Sequence, residues 1–470
     1  MGITRALPYA LVLLLLGACA PSLREHISTV GTLAHVRQLP ALREGHVDAS
    51  PADEVRTILR EPIDANAAVR IALLNNRELR AKLRELGIVA GQVVQAGLMA
   101  NPSIDIELVP ERDSKVELRV EYDLTSIIMA PLRRQALQYD LEAARLDAAG
   151  SVVQLGYDVR TRFYALTGAL QQLALAAQSL DALAASRDAA QAMLEAGNTS
   201  ELAASSQIAA YERARVSLAK LSLSVAEQRE QMQRLLGLSG EQADWTAQAS
   251  LAQAPDQLRV ADDIERRALE ASFSLRASHK RLSGLAKQTG VARTAVWLPD
   301  VTADVHALQT KGESDREKDH WRAAGGFSVV VPIFDRGQGH ISALEARFDA
   351  LLERYQGLAI ATRSAARDAR NRLVSAHARA HQYQAVILPA QTKVMEQSVL
   401  QYNAMQLGVF QLLQARQELL DVQLSYVDTL REYWSALAEV EALGQGRIVH
   451  GPASESAPMM GASNVQAGGH

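Results

Sequence analysis

The chain has 470 residues, a net charge of −4, 4% aromatic residues and a single cysteine, Cys19. The length would serve several ordinary domains, but a composition led by alanine, leucine and glutamine suits long helices better than compact aromatic cores. The net charge argues against a polyanion-binding surface, nothing in the sequence resembles a basic nucleic-acid stripe, and one thiol excludes a disulfide within the chain.

At the N-terminus Arg5 precedes an apolar run from Tyr9 to Leu16, and Gly17 and Ala18 lead into Cys19 in "LLLLGACAP". The run is about half the ~20 residues that cross a bilayer, so it reads as a secretory signal, not a spanning helix. The pattern L-G-A-C resembles a lipobox. Residues 1–18 are therefore expected to be a lipoprotein signal peptide, with Cys19 as the acylated first residue of the mature chain, and 19–62 a lipid-anchored arm. By resemblance to sorted lipoproteins, Ala20 in place of Asp implies the outer membrane over retention at the inner one. The alternative is a buried free cysteine near a cleaved signal. After Cys19 no apolar run is long enough for a transmembrane helix, so any crossing must use strands.

The rest of the chain reads as two tandem halves, 63–245 and 246–446, followed by a small-residue polar tail, 447–470, expected to be disordered. Each half opens with an alanine-rich helical stretch, Asn66 to Leu98 or Asp262 to Arg293. Two alternating runs, a proline and a very long helix follow, and each half closes with a shorter helix after Gly197 or Gly408.

The alternating runs have two faces. Val116, Leu118, Val120, Tyr122 and Leu124 alternate with Glu117, Arg119, Glu121 and Asp123, and Ile104, Ile106 and Leu108 stand opposite Ser103, Asp105 and Glu107. Val301, Ala303 and Val305 oppose Asp300, Thr302, Asp304 and His306, and "WRAAGGFSVVV" supplies a fourth run. An ordinary hairpin on a core is the plain reading, but such a hairpin seldom charges its whole outer face. The lengths approach the ~9 to 11 residues of membrane strands, and Tyr122, Trp297 and Trp321 lie near strand ends, where interfacial aromatics belong. Four strands cannot close a barrel, and an open edge in lipid leaves backbone groups unpaired. Three copies would give twelve strands around a polar lumen.

No proline interrupts Pro131 to Ala196, where Phe163, Leu166, Leu170, Leu173, Ala177 and Leu180 recur at alternating spacings of three and four. Leu412, Ala415, Leu419, Val422, Tyr426, Thr429, Tyr433, Ala436, Val440 and Leu443 keep the same coiled-coil rhythm. A continuous helix over Pro131 to Ala196 would rise ~100 Å. A second long helix is expected over Gly339 to Met405, and in each half the two shorter stretches together match the long one. The expected fold is mainly α with membrane β: a trimeric barrel of twelve strands, four per protomer, continued by an α-helical coiled-coil barrel.

"VRIALLNNRELRAKL", "VVVPIFDRGQGHISALEAR" and "LLQARQELLDVQLSYVDTLREYWSALAEVEALG" resemble, in that order, segments of the TolC-like outer-membrane efflux proteins. The resemblance covers roughly residues 60 to 445. It implies the exit duct of a tripartite efflux system: a homotrimer in outer-membrane lipid, its helical barrel in the periplasm, docked to a periplasmic adaptor and an inner-membrane pump of RND type. "YNAMQLGVFQLLQAR" and "REYW" resemble the heavy-metal branch, with drugs, solvents or secreted proteins as other cargoes. Where the family has a tip glycine and two gate aspartates, this chain has Met405, Gln411 and Gln414; Gln411 and Gln414 are the expected gate, and Gly197, Asn198 and Gly408 the expected adaptor-contact tips. No phosphate loop or nucleophile elbow points to an enzyme, and no cofactor is expected. His377 and His381 have a ligand spacing but no third ligand, and Met459, Met460 and His470 offer soft or borderline donors in the tail. A lipid-anchored coiled-coil scaffold would explain the heptads but not the two-faced strands.

Overall fold

The computed structural model describes residues 23–36, 49–107, 114–258, 263–310 and 320–449. The expected signal peptide, Cys19 and positions 450–470 of the tail lie outside these residues. The chain divides into two compact units: one holds 83–148 and 275–356 with residues 23–30, the other 31–82, 149–274 and 357 onward. Each draws on both halves of the sequence.

The first unit carries strands β1 (Ser103–Glu107), β2 (Ser114–Asp123), β3 (Asp300–Thr310) and β4 (His320–Val330). They form one antiparallel sheet in that order, so β2 and β3 join the two sequence repeats edge to edge. Helix α5 (Thr125–Glu195) leaves β2 and begins before Pro131, which lies inside it. Its start is fixed by a cap: the Asp123 carboxylate accepts from the backbone N–H groups of Thr125 (2.8 Å) and Ser126 (3.2 Å). Thr125 Oγ1 accepts from Val301 N–H at 2.7 Å and donates to the Pro299 carbonyl at 3.2 Å, tying the start of α5 to the start of β3. The short helix α1 (Leu23–Leu33) reaches this unit through buried His26, whose Nδ1 lies 2.6 Å from the Arg145 guanidinium. Burial and that cation hold the imidazole below the usual histidine range.

In the second unit, after the short helix α2 (Ala49–Ile58), the chain breaks between α3 (Ala65–Asn75) and α4 (Arg77–Ala96), whose residues from 83 on belong to the first unit; this corrects the expectation of one helix over Asn66 to Leu98. Asn76 turns the chain with extended ψ (122°), caps α4 by accepting from Leu79 N–H (2.8 Å), and donates to the Leu235 carbonyl (2.8 Å). The second half breaks in the same place: α7 (Ile264–Ala271) and α8 (Phe273–Trp297) meet at Ser272, with ψ 110°. Each break is met by a glycine at the end of another helix. Gly237, after α6 (Glu201–Leu236), has φ +68°, and a Cβ there would stand 2.6 Å from the Asn75 carbonyl oxygen. Gly446, after α11 (Val409–Gly444), has φ +91°, and its Cβ would stand 2.4 Å from the Ala271 oxygen. Only glycine fits a positive φ so close to another backbone.

The second long helix is also modified. Helix α9 (Gln338–Gln382) passes through a π turn at Tyr383–Ile387 into α10 (Leu388–Asn403). Pro389 explains it: the ring lacks an N–H and clashes with the carbonyl four residues back, so the ladder resets, with Leu388 N–H donating to Tyr383. On α11 the expected seam is buried at Ala415, Thr429, Tyr433, Ala436 and Leu443 and half-buried at Leu412, Leu419, Val422, Tyr426 and Val440. On α5 the buried line differs from the expected one. Phe163 and Leu166 are buried, but the stripe continues through Ala169, Ala176 and Leu183, while Leu170, Leu173, Ala177 and Leu180 are half-buried.

Candidate functional site

The sheet keeps the two faces that the alternation predicts. One side carries Ile104, Val120 and Val305 in register, then Ile106, Leu118 and Ala307, then Tyr122, Ala303 and Phe327. In the chain by itself this apolar face is bare: Ile106 is 68% exposed and Phe327 75%. The other side carries Asp105, Arg119 and His306 in register, beside Ser103, Glu121 and Asp304. There Arg119 pairs with Glu117 at 3.3 Å and His306 contacts Asp304 at 3.2 Å. The outer edges of β1 and β4 have no strand partner among the described residues. A bare apolar face, a charged face and two open edges make a section of wall, not a closed object. None of the described helices is long and apolar enough to cross a membrane.

The two helical tips are built alike. At the end of α5, Gly197 (φ +72°) donates to the Leu194 carbonyl and Asn198 to that of Met193, a Schellman turn. At the end of α10, Met405 donates to Tyr402 and Gln406 to Gln401 in the same pattern. Met405 takes φ +58° there, a left-handed conformation that a side chain adopts at a cost, and it is 95% exposed. The sequence resemblance, which sets a glycine at this position, agrees with that backbone.

The expected gate residues are both exposed on the first turns of α11. Gln411 bends back to its own helix end, where its Oε1 accepts from Gly408 N–H at 2.8 Å. Gln414 donates to Glu418 at 3.0 Å, and Glu418 also accepts from Gln391 at 3.2 Å. The sequence reading missed the capping role of Gln411, although a glutamine three residues after an N-cap is its usual signal. Gly408 has no side chain, so only this half of the capping arrangement forms. Cys19 lies outside the described residues. His377 and His381 stack with ring centroids 6.4 Å apart, but His377 Nε2 is 2.7 Å from the Pro255 carbonyl, which makes it a packing residue beside Tyr433. No group of three or more His, Cys, Asp or Glu able to hold a metal occurs among the described residues.

No family model matches the chain. It is 24% identical over 387 residues to the cobalt-zinc-cadmium resistance protein CzcC of Cupriavidus metallidurans, covering 81% of this chain and 90% of that protein. Among solved structures, the transmembrane channel protein CusC superposes with a TM-score of 0.67 at 17% identity, over 84% of this chain and 92% of its own. The outer-membrane channel OprN superposes with a TM-score of 0.65 at 19% identity, over 87% of this chain and 98% of its own. The chain has the fold of the solved outer-membrane channel proteins CusC and OprN.

Proposed function

We propose that the chain is the outer-membrane exit duct of a tripartite efflux system, a passive channel through which an inner-membrane pump drives its cargo by way of a periplasmic adaptor. The observation that carries this reading is the four-stranded sheet with one bare apolar face, one charged face and two open edges. Three copies would close twelve strands, set the apolar side in lipid and leave the charged side to line a water-filled lumen. A heptad-spaced exposed stripe on α6, Leu202, Ala209, Val216 and Leu223, supports a helical barrel shared between copies.

In this reading Cys19 carries the lipid anchor and Gln411 and Gln414 stand at the periplasmic mouth. Gly197, Asn198 and Gly408 then form turns that an adaptor's helices can reach. The pump is of RND type. The likeness to CzcC over most of that protein's length favours divalent heavy-metal cargo above drugs or secreted proteins.

The test is cellular cargo retention. Cells lacking this chain should accumulate cobalt, zinc or cadmium, and the wild-type gene should restore export. Cys19→Ala should abolish fatty-acid labelling and restore export only in part, since the barrel itself holds the trimer in the membrane. Unchanged metal content in the deletion strain would contradict the cargo assignment.

A further inference from the structure

At the ends of the helices that enter and leave the sheet, the first unit has a groove of about 560 Å³. Its floor is apolar, with Val291, Ala295 and Leu344 among the lining residues. Its rim is basic: Arg133, Arg336, Arg347 and His340 line it, against one acid, Asp335. Some basic side chains of this unit find carboxylates, as Arg293 finds Glu345 at 2.6 Å and Lys280 finds Glu142 at 2.7 Å. Among the described residues no carboxylate pairs with the guanidiniums of Arg133, Arg336 or Arg347. The Asp335 carboxylate is already engaged, accepting from Gly337 N–H at 2.8 Å. Gly337 and His340 place the N-terminal end of the 45-residue helix α9 at the same rim, which adds the positive end of its dipole.

The position of the groove follows from the strand ends. Pro332 comes just after β4 ends at Val330, and Val296 just before β3 begins at Asp300. Beside it, Ile333 and Phe334 are exposed. Resting on the reading of the sheet as membrane wall, this level is the boundary between hydrocarbon and headgroups on the periplasmic side. We infer that the groove seats one anionic phospholipid of the inner leaflet, its phosphate held by Arg133, Arg336 and Arg347 and an acyl chain lying along the apolar floor. Charge complementarity selects the occupant. A zwitterionic headgroup brings a cation into an already cationic rim, a free phosphate makes no use of the floor, and a second copy of the chain would have to supply carboxylates.

The test uses the full-length protein in detergent, titrated with phosphatidylglycerol or phosphatidylcholine and read by native mass spectrometry. Wild type should retain phosphatidylglycerol preferentially. Each arginine near an anionic headgroup contributes about fivefold, so the combined Arg133→Gln, Arg336→Gln and Arg347→Gln variant should bind it on the order of 100-fold more weakly. The matching lysine variant should keep most of the preference. If the glutamine triple fails to assemble, Arg336→Gln alone, in an exposed turn, should show about a fivefold loss. Equal retention of the two lipids, undiminished binding by the glutamine variants, or displacement by millimolar inorganic phosphate would each overturn the inference. So would a glutamine triple that loses its trimer while lipid binding per chain is unchanged, since a second copy would then be the occupant. Bilayer conductance separates the two readings: a conducting protein with no lipid preference refutes only this site, and a non-conducting one refutes the duct.

Discussion

Gly446→Ala should be among the most damaging single-methyl additions in this chain. Gly446 has φ +91°, beyond the left-handed well that other residues reach, and entering that region costs roughly 1–2 kcal/mol. The new Cβ would also stand 2.4 Å from the Ala271 oxygen and 2.7 Å from Phe273 Cδ2. The carbonyl ends α7, and the ring belongs to the first residue of α8, so neither gives way without moving the helix break. Overpacking of this kind costs about 1–3 kcal/mol. Against this, alanine removes backbone entropy from the unfolded chain, a gain of only about 0.4–1 kcal/mol. The net expectation is a loss of ~2–4 kcal/mol. Amide hydrogen exchange of the assembled protein should show it as faster exchange at Ser272 and Phe273, together with a lower thermal midpoint. Gly357→Ala is the control, because Gly357 is inside α9 with nothing within 4 Å of a Cβ, and it should stabilise by up to about 1 kcal/mol. Equal stability of Gly446→Ala and wild type would refute the close approach.

Met405→Gly should act in the opposite sense at the α10 tip: relief of the left-handed side chain outweighs the added chain entropy by about 0.5–1 kcal/mol, slowing exchange at Gln406. Val120→Arg, on the bare face between Ile104 and Val305, should cost ~2–4 kcal/mol near the bilayer midplane. Glu121→Gln, on the charged face, should leave assembly and insertion intact by gel shift in vesicles. Because His26 is held below the ordinary histidine range, its neutral form stabilises the docking of α1. That contribution is full above about pH 6.5 and falls away as pH drops below it, when the undocked helix takes up the proton more readily. Protection of residues 23–33, corrected for intrinsic exchange, should therefore decline between pH 6.5 and 5, and His26→Gln should flatten the profile. At the mouth, wild-type conductance should ignore low divalent concentrations. Combined Gln411→Asp and Gln414→Asp should create cation selectivity that salt screens. Block of the wild type would instead point to carboxylates such as Glu418.

Much of the wall could be read from the chain because a strand repeats every two residues. In 116–123 each apolar residue is followed by a charged one, and one period fixes both faces. The helix breaks were harder, since Asn76 and Ser272 sit in otherwise helical patterns. The clue was their shared setting, a capping residue three before Leu79 and Leu275. The π turn had a plainer sign in Pro389, within a stretch expected to be continuous. Other features depend on residues brought together only by folding. Gly446 approaches Ala271, and Arg133 lines a groove with Arg336 and Arg347, across separations that no local pattern records. Gln411 carries a local role that the family position did not suggest: its side-chain oxygen accepts from the N–H three residues before it.

The central claim, that open-edged four-stranded sheets close into a shared pore, is tested most directly by measuring mass and conductance on one purified sample of the full-length protein. The account predicts a particle of three protomers that inserts into planar bilayers with discrete, reproducible conductance steps. A monodisperse monomer or dimer that inserts without conducting would contradict it.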